Sequence, residues 1–438
     1  MDVTGLPSSS WAWAWKLFDW AAQPFFTLIA TFVFPPFFVT AIVGNALDGQ
    51  VIWGWTTAAA ALLVGMTAPL CGVWADRSGD PHRVFLMACG VAVVGAAGLW
   101  FCIPGTAYAL PLAITCVLLS TIGFETATSL NNAMLARVAD ESAARALAWK
   151  GWALGGASGV IVLLLFMAFF AIGAGGKTVL GFEPLLHFDN PDTGPARFTG
   201  PLAALWFIVF LVPLLFIQRT RSFTASPTHA TMDDNRPSSP LRFLIANMIL
   251  SDALLALFVF GGIYAAAVFG WDTPRLAMLA TGLTMAGMLG VLLCIPLDRR
   301  YGSEAIARLC CALIVAIGLF ILGLDPKHFW IWPARSIEAI GLTTAELAFV
   351  IASLIIGATS AALQSALRAM FIPFAKPGRA GRSFGFFAMS GKATAFIGPL
   401  LVSFGMAYFE DTKAGMALIL AMVTIGLLFL KSRQISQV

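Results

Sequence analysis

The apolar positions of this chain neither alternate nor recur as narrow stripes. They run on for about 20 residues at a time, the length a helix needs to cross the hydrocarbon core of a bilayer. Such runs lie at 17–43, 51–74, 84–103, 107–135, 150–173, 201–218, 243–269, 275–297, 308–323, 343–371, 384–408 and 414–430. In lipid every backbone N–H and C=O must be satisfied within the protein, so a spanning segment is either a helix or a strand of a closed barrel. Barrel strands alternate and these runs do not. The pattern therefore predicts an all-α integral membrane protein of about twelve transmembrane helices.

One stretch interrupts the rhythm. Residues 219–242 carry Arg219, Arg221, Asp233, Asp234 and Arg236 among prolines and serines, which predicts a polar linker joining two six-helix halves, 1–218 and 243–438. The segment 174–200 mixes Gly, Pro, Asp and Phe without helical periodicity and is expected to be a small ordered cap rather than a catalytic domain.

Composition strengthens the membrane reading. Hydrophobic residues are 59% of the 438 and charged residues 11%, against about 25% charged in a soluble domain. Lys and Arg then set the orientation. With the amino terminus inside, the inner loops and helix ends hold Lys16, Arg77, Arg83, Arg137, Arg145, Lys150, Arg219, Arg221, Arg236, Arg242, Arg299, Arg300, Arg308, Arg368, Lys376, Arg379, Arg382, Lys431 and Arg433. The outer segments hold Lys177, Arg197, Arg275, Lys327, Arg335 and Lys413. Both termini are thus expected to be cytoplasmic. No cleavable leader is visible, and Trp11, Trp13, Trp15 and Lys16 suit an interfacial anchor. The short loops point to a bacterial inner membrane. The net charge of +4 gives no reason to expect a nucleic-acid partner.

Charges inside the spans are the most informative residues, because each costs about 2.5–3.5 kcal/mol on insertion scales. Glu125, Asp252 and Lys392 each fall about 13–17 Å from the inner end of their span at 1.5 Å per residue. That is the depth at which secondary transporters hold substrate and coupling ion. Polar neighbours extend the pattern: Thr121, Glu125, Thr128, Ser129 and Asn132 share a face of span four, and Ser360, Gln364 and Arg368 one of span ten. Asp19, Gln23 and Thr27 line a face of span one, and Asn247, Ser251 and Asp252 cluster in span seven. Plainer readings stand beside these: Asp19 at the interface, Arg368 as a snorkelling anchor, the hydroxyl stripes as helix packing, and the three charges as a structural ion pair.

Pro35-Pro36 and Gly398-Pro399 are expected to kink spans one and eleven. Gly155, Gly156 and Gly159 offer a small face for close helix approach. There is no G-x-x-x-x-G-K-[ST] loop, so no ATP engine is expected in this chain. Cys71, Cys89, Cys102, Cys116, Cys294, Cys310 and Cys311 lie in or beside apolar runs and read as packing residues; no metal or cofactor is expected.

Between spans two and three the chain reads Gly72-Val73-Trp74-Ala75-Asp76-Arg77-Ser78-Gly79, and Asp298-Arg299-Arg300-Tyr301-Gly302 follows span eight. The pattern G-x-x-x-D-R-x-G resembles the signature loop of the major facilitator superfamily of transporters. That resemblance implies the major facilitator fold, with spans one, four, seven and ten lining the cavity, and gating roles for Gly72, Asp76, Arg77, Gly79, Asp298 and Arg299.

Longer words narrow it. Trp15-Lys16-Leu17-Phe18-Asp19-Trp20-Ala21, Phe34-Pro35-Pro36-Phe37, Ile122-Gly123-Phe124-Glu125, Asn131-Asn132-Ala133 and Gly151-Trp152-Ala153-Leu154-Gly155-Gly156 resemble the UMF1 branch, which includes the Atg22-like vacuolar effluxers. Ser251-Asp252, Gln364 with Arg368, Phe384-Gly385-Phe386-Phe387, Ser390-Gly391-Lys392 and Gly398-Pro399-Leu400 continue the likeness in order. Ala22, Gln23, Ala253 and Leu367 depart from that branch's usual residues.

Together these features predict a secondary active transporter working by alternating access, its halves rocking about a midplane site. The site residues are Asp19, Gln23, Glu125, Asn132, Asp252, Gln364, Arg368 and Lys392. The partners are a small polar solute and a proton taken by Glu125 or Asp252, with the protein acting as a monomer. Arg368 and Lys392 suit a carboxylate and the acids suit an amine, so an amino acid or peptide fits both. An intramembrane enzyme is disfavoured, because no H-E-x-x-H occurs and His82, His187, His229 and His328 lie in or next to loops. A non-transporting sensor or assembly factor on a transporter scaffold remains the alternative.

Overall fold

A computed structural model describes residues 9–78, 80–138, 141–172, 176–179, 181–219, 240–271, 273–325, 327–337, 341–375 and 378–430. The expected spans fall on helices, except that span eleven is two short helices joined by an unwound stretch. The helices are α1 (Ser9–Pro24), α2 (Phe34–Phe37), α3 (Ala46–Arg77), α4 (Pro81–Gly98), α5 (Ala109–Val138), α6 (Glu141–Phe169) and α7 (Gly194–Arg219). They continue with α8 (Leu241–Phe269), α9 (Thr273–Leu322), α10 (Thr344–Phe371), α11 (Ala380–Ser390), α12 (Ile397–Phe409) and α13 (Thr412–Phe429). Among the described residues, 8 helices are long and apolar enough to cross a membrane, and the bent stretch Ser10–Phe32 with Phe34–Val43 makes a ninth; α12 and α13 are shorter apolar helices.

Three details correct the expected boundaries. Span one starts at Ser9, not near residue 17. Trp11 and Trp15 are buried there, leaving Trp13 at the surface with the Lys16 ammonium 3.7 Å over its ring. The 41° bend of this span falls at Val33, just before Pro35-Pro36. The prolines occupy the first turn of α2, where a missing N–H costs nothing. Spans eight and nine appear as one helix, α9, whose apolar part alone is 45 residues, about 68 Å at 1.5 Å per residue and twice a bilayer core. Gly302, with φ 80° and ψ 155°, breaks it in two.

The chain forms two compact units, Met1–Asp234 with Ala375–Met389, and Asn235–Phe374 with Ser390–Val438. Most of the expected linker, with Arg221, Asp233, Asp234 and Arg236, lies outside the described residues, as do His229, Lys376, Lys431 and Arg433.

In the first unit α4 packs on α5, α1 on α6 and α7, and α3 on α5. Lipid gives no hydrophobic drive between helices, so close fit must hold them. Ala92 backbone would collide with any side chain at Gly123, and Ser120 with one at Gly95, so α4 and α5 touch along small residues. At the centre Phe25 stacks on Phe124 with ring centroids 4.4 Å apart, Phe207 meets Phe124 edge-on at 4.8 Å, and Phe18 bridges Phe207 and Phe85.

In the second unit α9 packs on α10, α13 on α8 and α9, and α12 on α13 and α8. Two short hairpins, β1 (His328–Phe329) with β2 (Trp332–Pro333) and β3 (Ser336–Ile337) with β4 (Leu342–Thr343), cross between α9 and α10. Thr343 and Glu346 form a reciprocal capping box at the start of α10. Glu346 also accepts the Trp271 indole N–H at 2.8 Å and pairs with Arg275 at 3.6 Å. One carboxylate thus ties the ends of α8, α9 and α10 together.

Candidate functional site

The polar residues expected at membrane depth form two sets, one in each unit. In the first, Asp19, Gln23 and Thr27 recur every fourth residue where α1 gives way to a loose π-helical stretch, Phe25–Phe32. They lie against Gly151, Gly155 and Gly159, which recur at the same interval on α6. A methyl at Gly151 would fall 2.5 Å from Asp19 Oδ2, and one at Gly159 2.8 Å from Thr27 Oγ1. The stripe is therefore seated in the α1–α6 seam, with Thr27 buried and Asp19 and Gln23 half-buried. The glycines provide the room.

Pro24 explains why this seam is polar. Lacking an N–H, it leaves the Trp20 carbonyl one turn earlier without its helical donor. Ser158 Oγ donates to that carbonyl at 2.7 Å and Trp206 Nε1 at 3.3 Å. A hydrogen bond missing from α1 is thus replaced by side chains of α6 and α7, as backbone groups in lipid require.

On α5 the Phe124 ring enters the aromatic centre, so Glu125 beside it faces elsewhere and is half-buried. Thr128 is satisfied by the Phe124 carbonyl at 2.7 Å. Ser129 Oγ, Asn132 Oδ1 and both side-chain polar atoms of Asn131 are buried with no hydrogen-bond partner among the described residues. The Asn131 carbonyl accepts Trp15 Nε1 at 2.8 Å, which fixes α1 on α5.

The second set surrounds a break. α11 ends at Ser390, and Gly391–Phe396 are turns before α12 begins. The expected kink at Gly398-Pro399 is in fact this unwound stretch, with Pro399 in the first turn of the next helix. Pro399 cannot donate to the Ala395 carbonyl, so the ladder cannot run through. Two short bonds replace it, Ala395 N–H to Lys392 O at 3.0 Å and Ile397 N–H to Thr394 O at 2.7 Å. Lys392, expected within a span helix, lies half-buried in the unwound segment instead.

Asp252 on α8 is 3% exposed, and its Oδ1 has no hydrogen-bond partner among the described residues. Thr394 of the unwound segment lies beside it. A Cβ at Gly398 would fall 2.5 Å from the Asp252 carbonyl, so only glycine lets α12 approach so closely. One turn earlier Asn247 Nδ2 donates to Ser390 Oγ at 2.9 Å, pinning the end of α11. On α10 Ser360 and Arg368 are buried and Gln364 half-buried. Thr394 escaped the sequence reading. Its signal was present in Pro399, five residues on.

The loop motif is built more concretely. Asp76, at the end of α3, accepts the N–H of Gly381 at 3.0 Å and of Arg382 at 2.8 Å, capping α11. Gly72 and Gly381 meet backbone to backbone, and a Cβ at Gly385 would strike Pro69 at 2.6 Å. Arg77 is exposed, and Gly79 lies outside the described residues. In the related stretch, Asp298 accepts the Ser303 hydroxyl just beyond the Gly302 break, while Arg299 is exposed.

Membrane-length helices carrying buried charges define a multi-pass membrane protein, and solved structures share its fold. The major facilitator superfamily transporter FucP in its outward conformation matches with a TM-score of 0.68 and 13% identity, over 96% of this chain and 98% of its own. The human organic anion transporter MFSD10 matches with a TM-score of 0.68 and 13% identity over 96% and 99%. A bacterial homologue of the iron transporter ferroportin, outward-facing, matches with a TM-score of 0.68 and 11% identity over 96% and 98%. This is the fold of a major facilitator transporter.

Residues 139–436 match the family described as vacuole effluxer Atg22 like, and residues 14–147 match MFS/sugar transport protein. The chain belongs to the Atg22-like branch of the major facilitator superfamily. An uncharacterised MFS-type transporter of Bacillus subtilis (strain 168), YxiO, is 21% identical over 426 residues, 95% of this chain and 93% of its own.

Proposed function

We propose that this secondary transporter moves a small zwitterionic solute, an amino acid or short peptide, coupled to protons by alternating access. The observation that carries the reading is Asp252, a carboxylate 3% exposed with an unpartnered oxygen, beside the unwound segment that holds Lys392. A buried acid with one oxygen left unpartnered is suited to gaining and losing a proton, and an unwound segment can change shape without breaking a helical ladder. Lys392 and Arg368 supply charge for a carboxylate; Glu125 and Asp252 supply it for an amine and a proton. Asp19, Gln23, Asn132 and Gln364 add neutral and acidic contacts. The bilayer is that of a bacterial cell, with both termini inside, and one chain suffices for a transport cycle.

The test is uptake into proteoliposomes under an imposed pH gradient, with a panel of amino acids, dipeptides and other small metabolites. Gradient-driven accumulation of a zwitterion, reduced at least tenfold in Asp252→Asn and in Lys392→Ala, is the expected result. Flux untouched by either change removes the site. No flux of any compound moves the protein to the sensor or assembly reading.

A further inference from the structure

We infer that the first hairpin between α9 and α10 is a lipid-binding surface, whose tip, Trp330-Ile331-Trp332, enters the interfacial region of the adjoining leaflet. The inference rests on the membrane-spanning fold alone. It needs neither the transport reading nor the orientation.

The hairpin is aimed by specific contacts. β1 and β2 pair Phe329 with Trp332, which leaves Trp330 and Ile331 as a two-residue turn. Trp330 has φ 58°, at the first central position of the turn, where glycine is the usual residue. A bulky ring is costly there and has to be held by its surroundings. The end of α9 holds it. The Trp330 backbone N–H donates to the Gly323 carbonyl at 3.1 Å, and its indole N–H donates to the Phe320 carbonyl at 3.1 Å. The indole stacks on Phe320 with centroids 6.2 Å apart, and a Cβ at Gly323 would fall 2.5 Å from it. Asp325 Oδ1 accepts the N–H groups of Lys327 and His328, each at 2.8 Å, which fixes the base of the hairpin.

The face that Trp330 rests on identifies the partner. At 3.6 residues per turn, Phe320 and Gly323 continue the stripe Leu309, Leu313, Ala316 and Leu319, all four of which are exposed. An exposed, wholly apolar stripe on a membrane-spanning helix faces lipid. The hairpin is therefore folded onto the lipid side of α9. After the charged pair Glu304–Arg308, the apolar stretch Leu309–Leu322 is about 21 Å long against about 30 Å of hydrocarbon, so lipid still borders the protein at the last turn and beyond it. At that level Ile331 is 83% exposed and Trp332 65%. Tryptophan suits the boundary because it joins an apolar ring to a polar N–H. Lys327 and His328, exposed at the base, suit the headgroups, and Asp325 is already engaged with His328 at 3.3 Å. The hairpin thus anchors the end of α9 to the leaflet.

The test uses the full-length protein in the membranes of the cells that express it. Ile331→p-benzoylphenylalanine is photoactivated, and the mass of the tip peptide is measured after purification and digestion. The same probe at Leu313, on the exposed stripe, and at Asp192, in an exposed turn, sets the upper and lower limits. The expected result is a tip peptide heavier by one phospholipid, at a yield close to that at Leu313 and well above that at Asp192. A probe at Trp332 gives the same reading if the first variant does not accumulate. A tip peptide joined to a second copy of the chain or to another protein overturns the lipid assignment. A yield no higher than at Asp192 places the tip in water and overturns it as well.

Discussion

Asp76 accepts the backbone N–H of Gly381, 305 positions away in sequence, at 3.0 Å. The same carboxylate takes the next N–H, that of Arg382, so the first turn of α11 is capped by a residue at the end of α3. Helix starts leave donors unsatisfied and carry partial positive charge, so an acid there counts twice.

Replacing Asp76 with Ala is expected to cost about 0.5–2 kcal/mol, the usual value of an N-terminal cap. Asp76→Asn keeps an acceptor and should recover most of it. Thermal unfolding of the purified protein checks both. Equal loss in the two variants would mean that charge, not the hydrogen bonds, holds the contact.

The Trp20 carbonyl gives a sharper test. Ser158→Ala removes a donor to it and is expected to cost about 1 kcal/mol. Pro24→Ala restores the helical N–H, so in that background the serine should matter little. A double-mutant cycle with no coupling between residues 24 and 158 would contradict the account.

Gly151→Leu and Gly159→Leu should each destabilise by about 1–3 kcal/mol or more, because Asp19 and Thr27 already occupy the space. Gly54→Ala, at a helical glycine with nothing within 4 Å, serves as control and should be neutral or stabilising. Unfolding midpoints in detergent distinguish the three.

The aromatic centre can be weighed directly. Phe25→Leu and Phe124→Leu in a double-mutant cycle are expected to show about 0.5–1.5 kcal/mol of coupling, the excess of a ring pair over simple contact. Coupling near zero would reduce the stack to ordinary packing.

Much of this was legible from the chain alone. The runs of apolar residues located the membrane segments, though not the division of span eleven into α11 and α12, because lipid allows few alternatives for a backbone. Glu125, Asp252 and Lys392 stood out because charge in such a run is costly, and Gly155 and Gly159 because small residues in a span mark close approach. Boundaries read less well: α6 starts at Glu141 rather than near 150, since Ala, Glu and Arg continue a helix beyond the apolar core.

What the sequence by itself determined is therefore the class of structure and the identity of the residues that do not belong in lipid. What only the tertiary structure decided is which neighbour each of them meets. Nothing in Asp19-Trp20-Ala21-Ala22-Gln23 says that a glycine stripe over a hundred residues later will receive it, or that Ser158 and Trp206 will supply what Pro24 withholds from Trp20. Nor does Lys392 announce that its helix unwinds there, although Pro399 forbids one bond of the ladder. Period and composition are local properties and can be read along the chain. Contacts across helices depend on how the surfaces fit, and that is settled only when the helices are packed.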